Sequence, residues 1–162
     1  HTYYGLDIRV ARIFNTYGSR MRVNDGRAIP TFMSQVLRGE SLTVFGDGSQ
    51  TRSFCYIDDM VEGIYKLLHS NYTMPINLGN PEEVSLIEVA NEIIRLGTKS
   101  NKIIFKPLPL NDPIKRKPDI SKAINILNWK PKISRKKGLE NTFNYFKNLS
   151  LEELNKKCNK FT

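Results

Sequence analysis

A glycine-rich turn between two apolar runs brings an aromatic ring and an arginine close together in the sequence. The segment Leu42–Tyr56 (LTVFGDGSQTRSFCY) passes through Phe45 into Gly46-Asp47-Gly48-Ser49, and Arg52 follows. Glycines let the backbone approach a ligand closely, an aromatic ring offers a flat face, and a guanidinium group binds phosphate or carboxylate with two parallel hydrogen bonds. The same pattern is typical of a surface hairpin with one exposed arginine, and on this segment alone the hairpin is favoured.

A second group of polar side chains follows the first predicted strand. Residues Leu6–Phe14 alternate in polarity and predict a strand. Asn15-Thr16-Tyr17-Gly18 follows at its carboxyl end, where ligand crevices lie in parallel sheets. The next loop carries three arginines around an Asn-Asp-Gly turn signal: Arg20, Arg22 and Arg27. Two interpretations stay open, since the arginines could bind an anion or could lie in a solvated loop.

The elements that would position these residues alternate between strand and helix, which predicts an α/β fold. We expect helices at Ala28–Leu37, Met60–His69, Ser85 to about Leu96, Lys122–Asn128 and Arg135–Asn148, and further strands at Ile76–Asn80 and Lys102–Phe105. Residues 111–119 predict a loop rich in proline and charge, and the polar tail 154–162 predicts a frayed end.

Helix-start signals explain most of the remaining acidic residues. Ser85 and Glu88 form a capping-box pattern, and Ser121 predicts another N-cap. The adjacent carboxylates Asp58 and Asp59 invite an assignment as a general acid and base. Capping is the preferred interpretation, because carboxylates are favoured at the start of a helix.

Composition narrows the classes of function. The 162 residues fit one domain, with 40% hydrophobic and 25% charged residues and a net charge of +9. The excess of lysine lies in the last third, where it reflects a Lys/Asn/Ile bias, so nucleic-acid binding is kept only as a minor alternative. No apolar run approaches the roughly 20 residues of a membrane span, and we expect no membrane partner.

Cysteine and histidine usage also argues for an ordinary cytoplasmic protein. Cys55 lies in a strand-like run as a small apolar residue, and Cys158 is far from it, so we expect no disulfide framework. The two histidines, His1 and His69, have no metal-ligand spacing around them, and we expect no metal site. No G-x-G-x-x-G fingerprint and no Ser-His-Asp set occur in the chain. The residues alone therefore predict an α/β unit with arginine-bearing loops and no catalytic group of its own.

Four longer motifs give the chain a recognisable identity at the family level. In order they are RVARIFNTYGSRMRVNDGR, LRGESLTVFGDGSQTRSFCYIDDMVEG, NLGNPEEVSLIEVA and RKPDISKAINILNWKP. Together they resemble the C-terminal half of the UDP-glucuronate decarboxylases, within the extended short-chain dehydrogenase/reductase family of NAD-dependent epimerases and dehydratases. FGDGSQTR occurs across that broad family, whereas RMRVNDGR with RKPDISKA points to the decarboxylase branch.

The resemblance implies a fold, a reaction and partners. The fold is the C-terminal part of a Rossmann-type enzyme with its small substrate-binding subdomain, covering residues 1–162. The reaction uses bound NAD to oxidise UDP-glucuronate at C4, releases carbon dioxide from the β-keto acid, and returns the hydride to give UDP-xylose. The partners are the UDP-sugar, the N-terminal half of the same enzyme, and a second copy in a homodimer.

Roles for individual residues also follow from the resemblance alone. Thr16, Arg22 and Arg27 match positions next to NAD, and Asn15 matches a position that contacts the UDP-sugar. Thr43 and Phe45 match the uracil-binding segment, although many relatives carry tyrosine in place of Phe45. Gln50 and Arg52 match the part that holds the diphosphate, and Arg116 matches an arginine that reaches toward the phosphates or the carboxylate.

The largest departure from the family pattern is what the sequence lacks. The glycine-rich NAD fingerprint and the catalytic Tyr-x-x-x-Lys pair belong to the family's N-terminal half, and neither is present. The chain is therefore expected to be a fragment or one part of a split enzyme, to be inactive alone, and to expose an apolar sheet edge. The alternatives are another nucleotide-sugar epimerase or dehydratase, or a non-catalytic basic module that binds nucleotide sugars or nucleic acid.

Overall fold

The computed structural model describes residues 3–23, 26–97, 101–108 and 115–155. Short strands and helices alternate along these ranges. In chain order they are β1 (Ala11–Ile13), β2 (Thr16–Tyr17), α1 (Ala28–Arg38), β3 (Leu42–Phe45), β4 (Thr51–Ser53), β5 (Cys55–Tyr56), α2 (Ile57–Leu68), β6 (Ile76–Leu78), β7 (Glu83–Ser85), α3 (Leu86–Leu96), β8 (Ile103–Lys106), β9 (Lys115–Arg116), α4 (Ser121–Leu127), α5 (Arg135–Lys147) and α6 (Leu151–Asn155).

Most of the strand pairs are parallel. β1 pairs with β6, β2 with β5 and β3 with β8, all in parallel register. β4 is the centre of a three-stranded sheet, antiparallel to β7 and parallel to β9. Parallel pairs linked through helices are the mark of an α/β protein, so the predicted fold class is confirmed.

Two groups of buried side chains hold these elements together. The large core joins α1, α3 and α5 to β3, and its fully buried members include Met33, Leu42, Ile93 and Leu139. The small core joins β6, α2 and α4 around Trp129, which is 1% exposed. The indole nitrogen of Trp129 donates a hydrogen bond to the Asp59 carbonyl at 2.9 Å, so the polar end of this ring is also satisfied.

Local helix signals predicted several boundaries correctly. α1 ends at Gly39, whose φ of 75° lies in the left-handed region that favours glycine. The capping box that opens α3 is present, with the Ser85 hydroxyl accepting from the Glu88 backbone and the Glu88 carboxylate accepting in return. α5 begins at Arg135, and the Ser134 hydroxyl accepts from the backbone of Lys137.

Two predicted N-caps were wrong, because other residues take the N-cap positions. α2 begins at Ile57, earlier than expected, and its N-cap Tyr56 makes no side-chain capping bond. Asp58 and Asp59 lie in the first turn, and the Asp59 carboxylate accepts from the Ile133 backbone at 2.9 Å. At α4, Ile120 takes the N-cap position.

Strand lengths and partners also differ from the predictions. Within Leu6–Phe14 only Ala11–Ile13 forms a strand, because its partner β6 offers a ladder of just three residues. The hairpin interpretation of Leu42–Tyr56 was wrong, since β3 pairs with β8 and β4 pairs with β7 and β9. Tertiary pairing across long sequence separations decided both outcomes.

Two further segments differ from what the composition predicted. The loop at 111–119 contains the short strand β9, while residues 111–114 lie outside the described residues. In the tail, Leu154 is 5% exposed and packs in the large core, so the predicted fraying does not begin there. Residues 156–162 lie outside the described residues. None of the described helices has both the length and the apolar character needed to cross a membrane.

Candidate functional site

A cavity of about 520 Å³ lies where the start of α1 faces the ends of β2, β3, β4 and β9. Eight of the nine predicted site residues border it: Asn15, Thr16, Arg27, Thr43, Phe45, Gln50, Arg52 and Arg116. The ninth, Arg22, is exposed on the preceding loop and does not border the cavity. Asn15 and Arg116 lie 101 positions apart in sequence, and the strand pairs thus bring distant residues to one site.

Part of the lining of the cavity is aromatic. Phe45 is the last residue of β3 and its side chain is 43% exposed, an unusual degree for a phenylalanine on a strand. Phe32 and Phe54 are buried in the same wall. A flat, accessible ring beside an apolar wall suits the stacking of a planar ligand such as a nucleobase.

The turn after Phe45 holds this ring in a defined position. Gly46 and Gly48 have φ values of 65° and 79°, and a Cβ on Gly48 would lie 3.0 Å from Val44 and Ile87. The Asp47 carboxylate accepts from both the backbone and the hydroxyl of Ser49, and the hydroxyl bond in particular lowers the pKa of Asp47. The loop therefore has fixed geometry up to the edge of the cavity.

Gln50 ties this turn back to the strand. Its side-chain amide nitrogen donates to the Phe45 carbonyl at 2.7 Å, and the residue is only 5% exposed. One donor of the amide is therefore used to fix the end of β3. Gln50 also borders the cavity, so the assignment to the diphosphate stays a prediction.

Another part of the lining is cationic. Arg52 on β4 pairs in register with Arg116 on β9, so two guanidinium side chains leave adjacent strands at the same level. Like charges placed side by side raise the electrostatic free energy of a sheet, and a bound anion lowers it. Arg52 is 8% exposed and donates to the Thr51 carbonyl at 2.8 Å, which orients its side chain, while Arg116 is exposed.

The start of α1 adds to this positive potential. Arg27 is the N-cap residue of α1, and residues 28–31 of the first turn border the cavity. The first turn contains no acidic residue, so the positive end of the helix dipole is not neutralised locally. None of the described residues bordering the cavity is Asp or Glu. The site therefore favours an anionic ligand that also presents a flat ring.

Several polar groups of residues that border the cavity make hydrogen bonds within the protein. The Thr16 hydroxyl donates to the Phe14 carbonyl at 2.8 Å, and the Asn15 carbonyl accepts from the Cys55 backbone at 2.9 Å. Tyr17 is 1% exposed and its hydroxyl donates to the Arg135 carbonyl. Burial raises the pKa of Tyr17 above its ordinary value, so this phenol keeps its proton and is not a candidate base.

One contact next to the cavity was not predicted from the sequence. Gln35 on α1 makes two hydrogen bonds to Thr43 on β3, through its amide oxygen and its amide nitrogen. The local sequence carries no signal for this pairing, because a glutamine in a helix is ordinary. The pairing follows only from the packing of α1 against β3. Among the described residues, no group of three or more His, Cys, Asp or Glu residues could hold a metal ion.

Comparison with known proteins relates this geometry to a family. Residues 1–79 match the model of the NAD dependent epimerase/dehydratase family. The chain is 48% identical over 153 residues to UDP-glucuronic acid decarboxylase 1 of Arabidopsis thaliana, covering 94% of this chain and 35% of the relative. It is 49% identical over 142 residues to UDP-glucuronic acid decarboxylase 1 of Danio rerio, covering 88% and 34%.

Solved structures with the same fold include enzymes that bind nucleotide sugars. A UDP-glucuronic acid 4-epimerase from Bacillus cereus, in complex with UDP-glucuronic acid and NAD, aligns with a TM-score of 0.83 at 33% identity, covering 91% of this chain and 47% of that one. The epimerase Mth375 of Methanothermobacter thermautotrophicus aligns with a TM-score of 0.86 at 31% identity, covering 90% and 45%. The chain thus spans about a third of the two curated relatives and somewhat under half of these structures.

Proposed function

We propose that this chain, whose residues 1–79 match the NAD dependent epimerase/dehydratase family, forms the substrate-binding part of a UDP-glucuronate decarboxylase. The observation that carries the proposal is the cavity itself, which joins an exposed aromatic ring to two arginines in register on adjacent strands. A UDP-sugar has the matching chemistry, with a flat base at one end and a diphosphate next to it. The proposed products are UDP-xylose and carbon dioxide.

In this proposal the aromatic and the cationic parts of the lining each bind one part of the nucleotide. The uracil ring stacks on Phe45, with Thr43 beside it on the same face of β3. Arg52 and Arg116 bind the diphosphate, where a planar guanidinium forms bidentate hydrogen bonds that a lysine cannot reproduce. Asn15 also borders the cavity, and we assign it to the sugar.

Three residues of this chain are assigned to NAD in this proposal. Thr16 and Arg27 border the space and would face the dinucleotide from one side, and the exposed Arg22 would reach it from the loop. The bound dinucleotide supplies hydride transfer at C4 of the sugar. The residues of this chain hold the substrate and place positively charged side chains beside it.

Product analysis tests the proposal. The full-length protein that carries this chain is incubated with UDP-glucuronate and NAD, and the carbon dioxide and the nucleotide sugar are both identified. Release of carbon dioxide with formation of UDP-xylose is expected. An epimerised UDP-sugar without carbon dioxide would instead support the 4-epimerase activity named for the Bacillus cereus structure. An unchanged substrate that nevertheless binds would support a non-catalytic module.

A further inference from the structure

Gln35 lies behind the wall of the cavity and contacts one of its residues through both ends of its amide. The backbone N–H of Thr43 donates to the Gln35 side-chain oxygen at 3.1 Å, and the Gln35 side-chain nitrogen lies 3.2 Å from the Thr43 hydroxyl oxygen. Gln35 itself does not border the cavity, whereas Thr43 does. Any influence of Gln35 on a ligand therefore passes through Thr43.

The strand pairing explains why this edge of β3 is available to Gln35. The backbone N–H of Leu42 donates to the carbonyl of Lys102, just before β8, and that of Gly46 donates to the carbonyl of Lys106, the last residue of β8. Every second residue of β3 therefore directs its backbone groups toward β8. Thr43 and Phe45 direct their backbone groups to the opposite edge. At that edge the side chains of Gln35 and Gln50 form hydrogen bonds with the backbone of β3, as a neighbouring strand would.

The backbone bond determines which way the amide of Gln35 faces. A backbone N–H can only donate, so the atom that it contacts must be the amide oxygen. The other end is then the NH₂ group, which can only donate, and the Thr43 hydroxyl oxygen must accept. The hydroxyl proton of Thr43 is therefore directed elsewhere. Among the described residues, it has no acceptor.

We propose that Gln35 is a positioning residue that keeps the Thr43 hydroxyl as a hydrogen-bond donor to a carbonyl oxygen of the base stacked on Phe45. Thr43 and Phe45 are two residues apart on one strand, so their side chains lie on the same face, about 7 Å apart. A ligand ring on Phe45 thus brings its edge to Thr43. This inference rests on the proposed function and specifies that the protein donates, and the base accepts, this hydrogen bond.

An isosteric substitution tests this polarity. In Gln35→Glu, both side-chain oxygens are acceptors, so the carboxylate accepts from the Thr43 backbone and from its hydroxyl. The hydroxyl proton is then turned away from the cavity. Binding of uridine, which carries no charge, is measured by NMR titration of the full-length protein for the wild type, Gln35→Glu, Thr43→Val and the double variant.

The effects of the two substitutions on uridine affinity are expected to be non-additive. Thr43→Val and Gln35→Glu each weaken uridine binding about three- to tenfold, the loss expected for one neutral hydrogen bond. The double variant binds no more weakly than Thr43→Val alone, because the hydroxyl through which Gln35 acts is gone. A merely structural role would lower affinity equally in both backgrounds. Thermal melts of every variant report folding, and Gln35→Met, which removes both bonds without adding charge, gives a second test if Gln35→Glu does not fold.

The outcomes separate this proposal from the function on which it rests. A wild-type protein that binds neither uridine nor UDP contradicts the proposed function and this inference with it. A wild type that binds both, with unchanged uridine affinity in Gln35→Glu, contradicts the role of Gln35 alone. Weakened UDP binding with unchanged uridine binding also contradicts it, because the added charge would then act on the diphosphate.

Discussion

The large core and the small core of this molecule differ in how completely they are covered. The large core is enclosed by α1, α3 and α5, and polar side chains such as Arg52 and Gln50 line the cavity beside it. The small core is flanked by exposed apolar side chains. On the first segment these are Leu6, Ile8, Val10 and Ile13, and on α2 they are Val61, Ile64, Tyr65 and Leu68.

The pattern of exposure indicates which part of the fold is self-sufficient. The four residues on α2 recur at helical spacing and form a continuous stripe, and the first segment exposes further apolar side chains before and within β1. Exposed apolar surface of this kind is typical of a face that another element covers. The cavity, in contrast, lies against buried side chains of the large core.

The largest effect is expected from a pair of matched leucine substitutions. Leu139→Ala in the large core should lower the free energy of unfolding by about 2–5 kcal/mol, because Leu139 is 1% exposed and its removal leaves a cavity. Leu68→Ala on α2 should change it by less than about 0.5 kcal/mol, because Leu68 is 63% exposed. Urea unfolding measures both, and equal losses would remove the distinction between the two cores.

The next largest effect is expected on the affinity for UDP, through an arginine that borders the cavity. Arg52→Ala should weaken UDP binding by about 1.5–3 kcal/mol, the usual loss for a hydrogen bond to a charged group. The matched control is Arg12→Ala, an exposed arginine on β1 that does not border the cavity and should leave UDP affinity unchanged. Isothermal titration calorimetry of the full-length protein measures both. Unchanged affinity in Arg52→Ala would remove the diphosphate role.

A smaller effect is expected from the thiol of Cys55 in the small core. Burial, assisted by the charge of Asp59, raises its pKa from 9.0 to about 12. Folding therefore favours the neutral thiol, and this contribution is complete below about pH 9 and is lost as the pH rises through about 12. Between pH 8 and pH 10.5 the wild type should lose more stability than Cys55→Ala in urea unfolding. An identical loss in the two proteins would show that the thiol titrates normally.

The smallest change in stability is expected on the exposed stripe of α2. Replacing Val61 and Leu68 together by serine should change the free energy of unfolding by no more than about 1 kcal/mol, because both side chains are 56–63% exposed. The same double variant should reduce self-association of the isolated chain, which analytical ultracentrifugation measures. A large loss of stability would mean that this face belongs to the core.

Sequence reasoning succeeded where the deciding interaction is local. The capping box of Ser85 and Glu88 and the glycine that ends α1 involve residues within one turn, so their signals are complete in the sequence. It failed for Asp59, whose carboxylate binds the backbone of Ile133, 74 residues further along the chain. It also failed for β3, which pairs with β8 across a long intervening segment.

In the candidate site, too, local motifs were predicted from the sequence and long-range contacts were not. Phe45 and Arg52 were identified by their motif, and the fold places both at one cavity. The matching of Arg52 with Arg116 depends on the register of β4 and β9, which no local pattern records. Gln35 was missed for the same reason, because only helix packing places it against Thr43.

A crystal structure of the full-length protein with UDP-glucuronate tests the central claim most directly. The uracil ring is expected to stack on Phe45, with the diphosphate of the nucleotide between Arg52 and Arg116. A nucleotide bound elsewhere, or bound here with its base away from Phe45 and its phosphates away from both arginines, would contradict it.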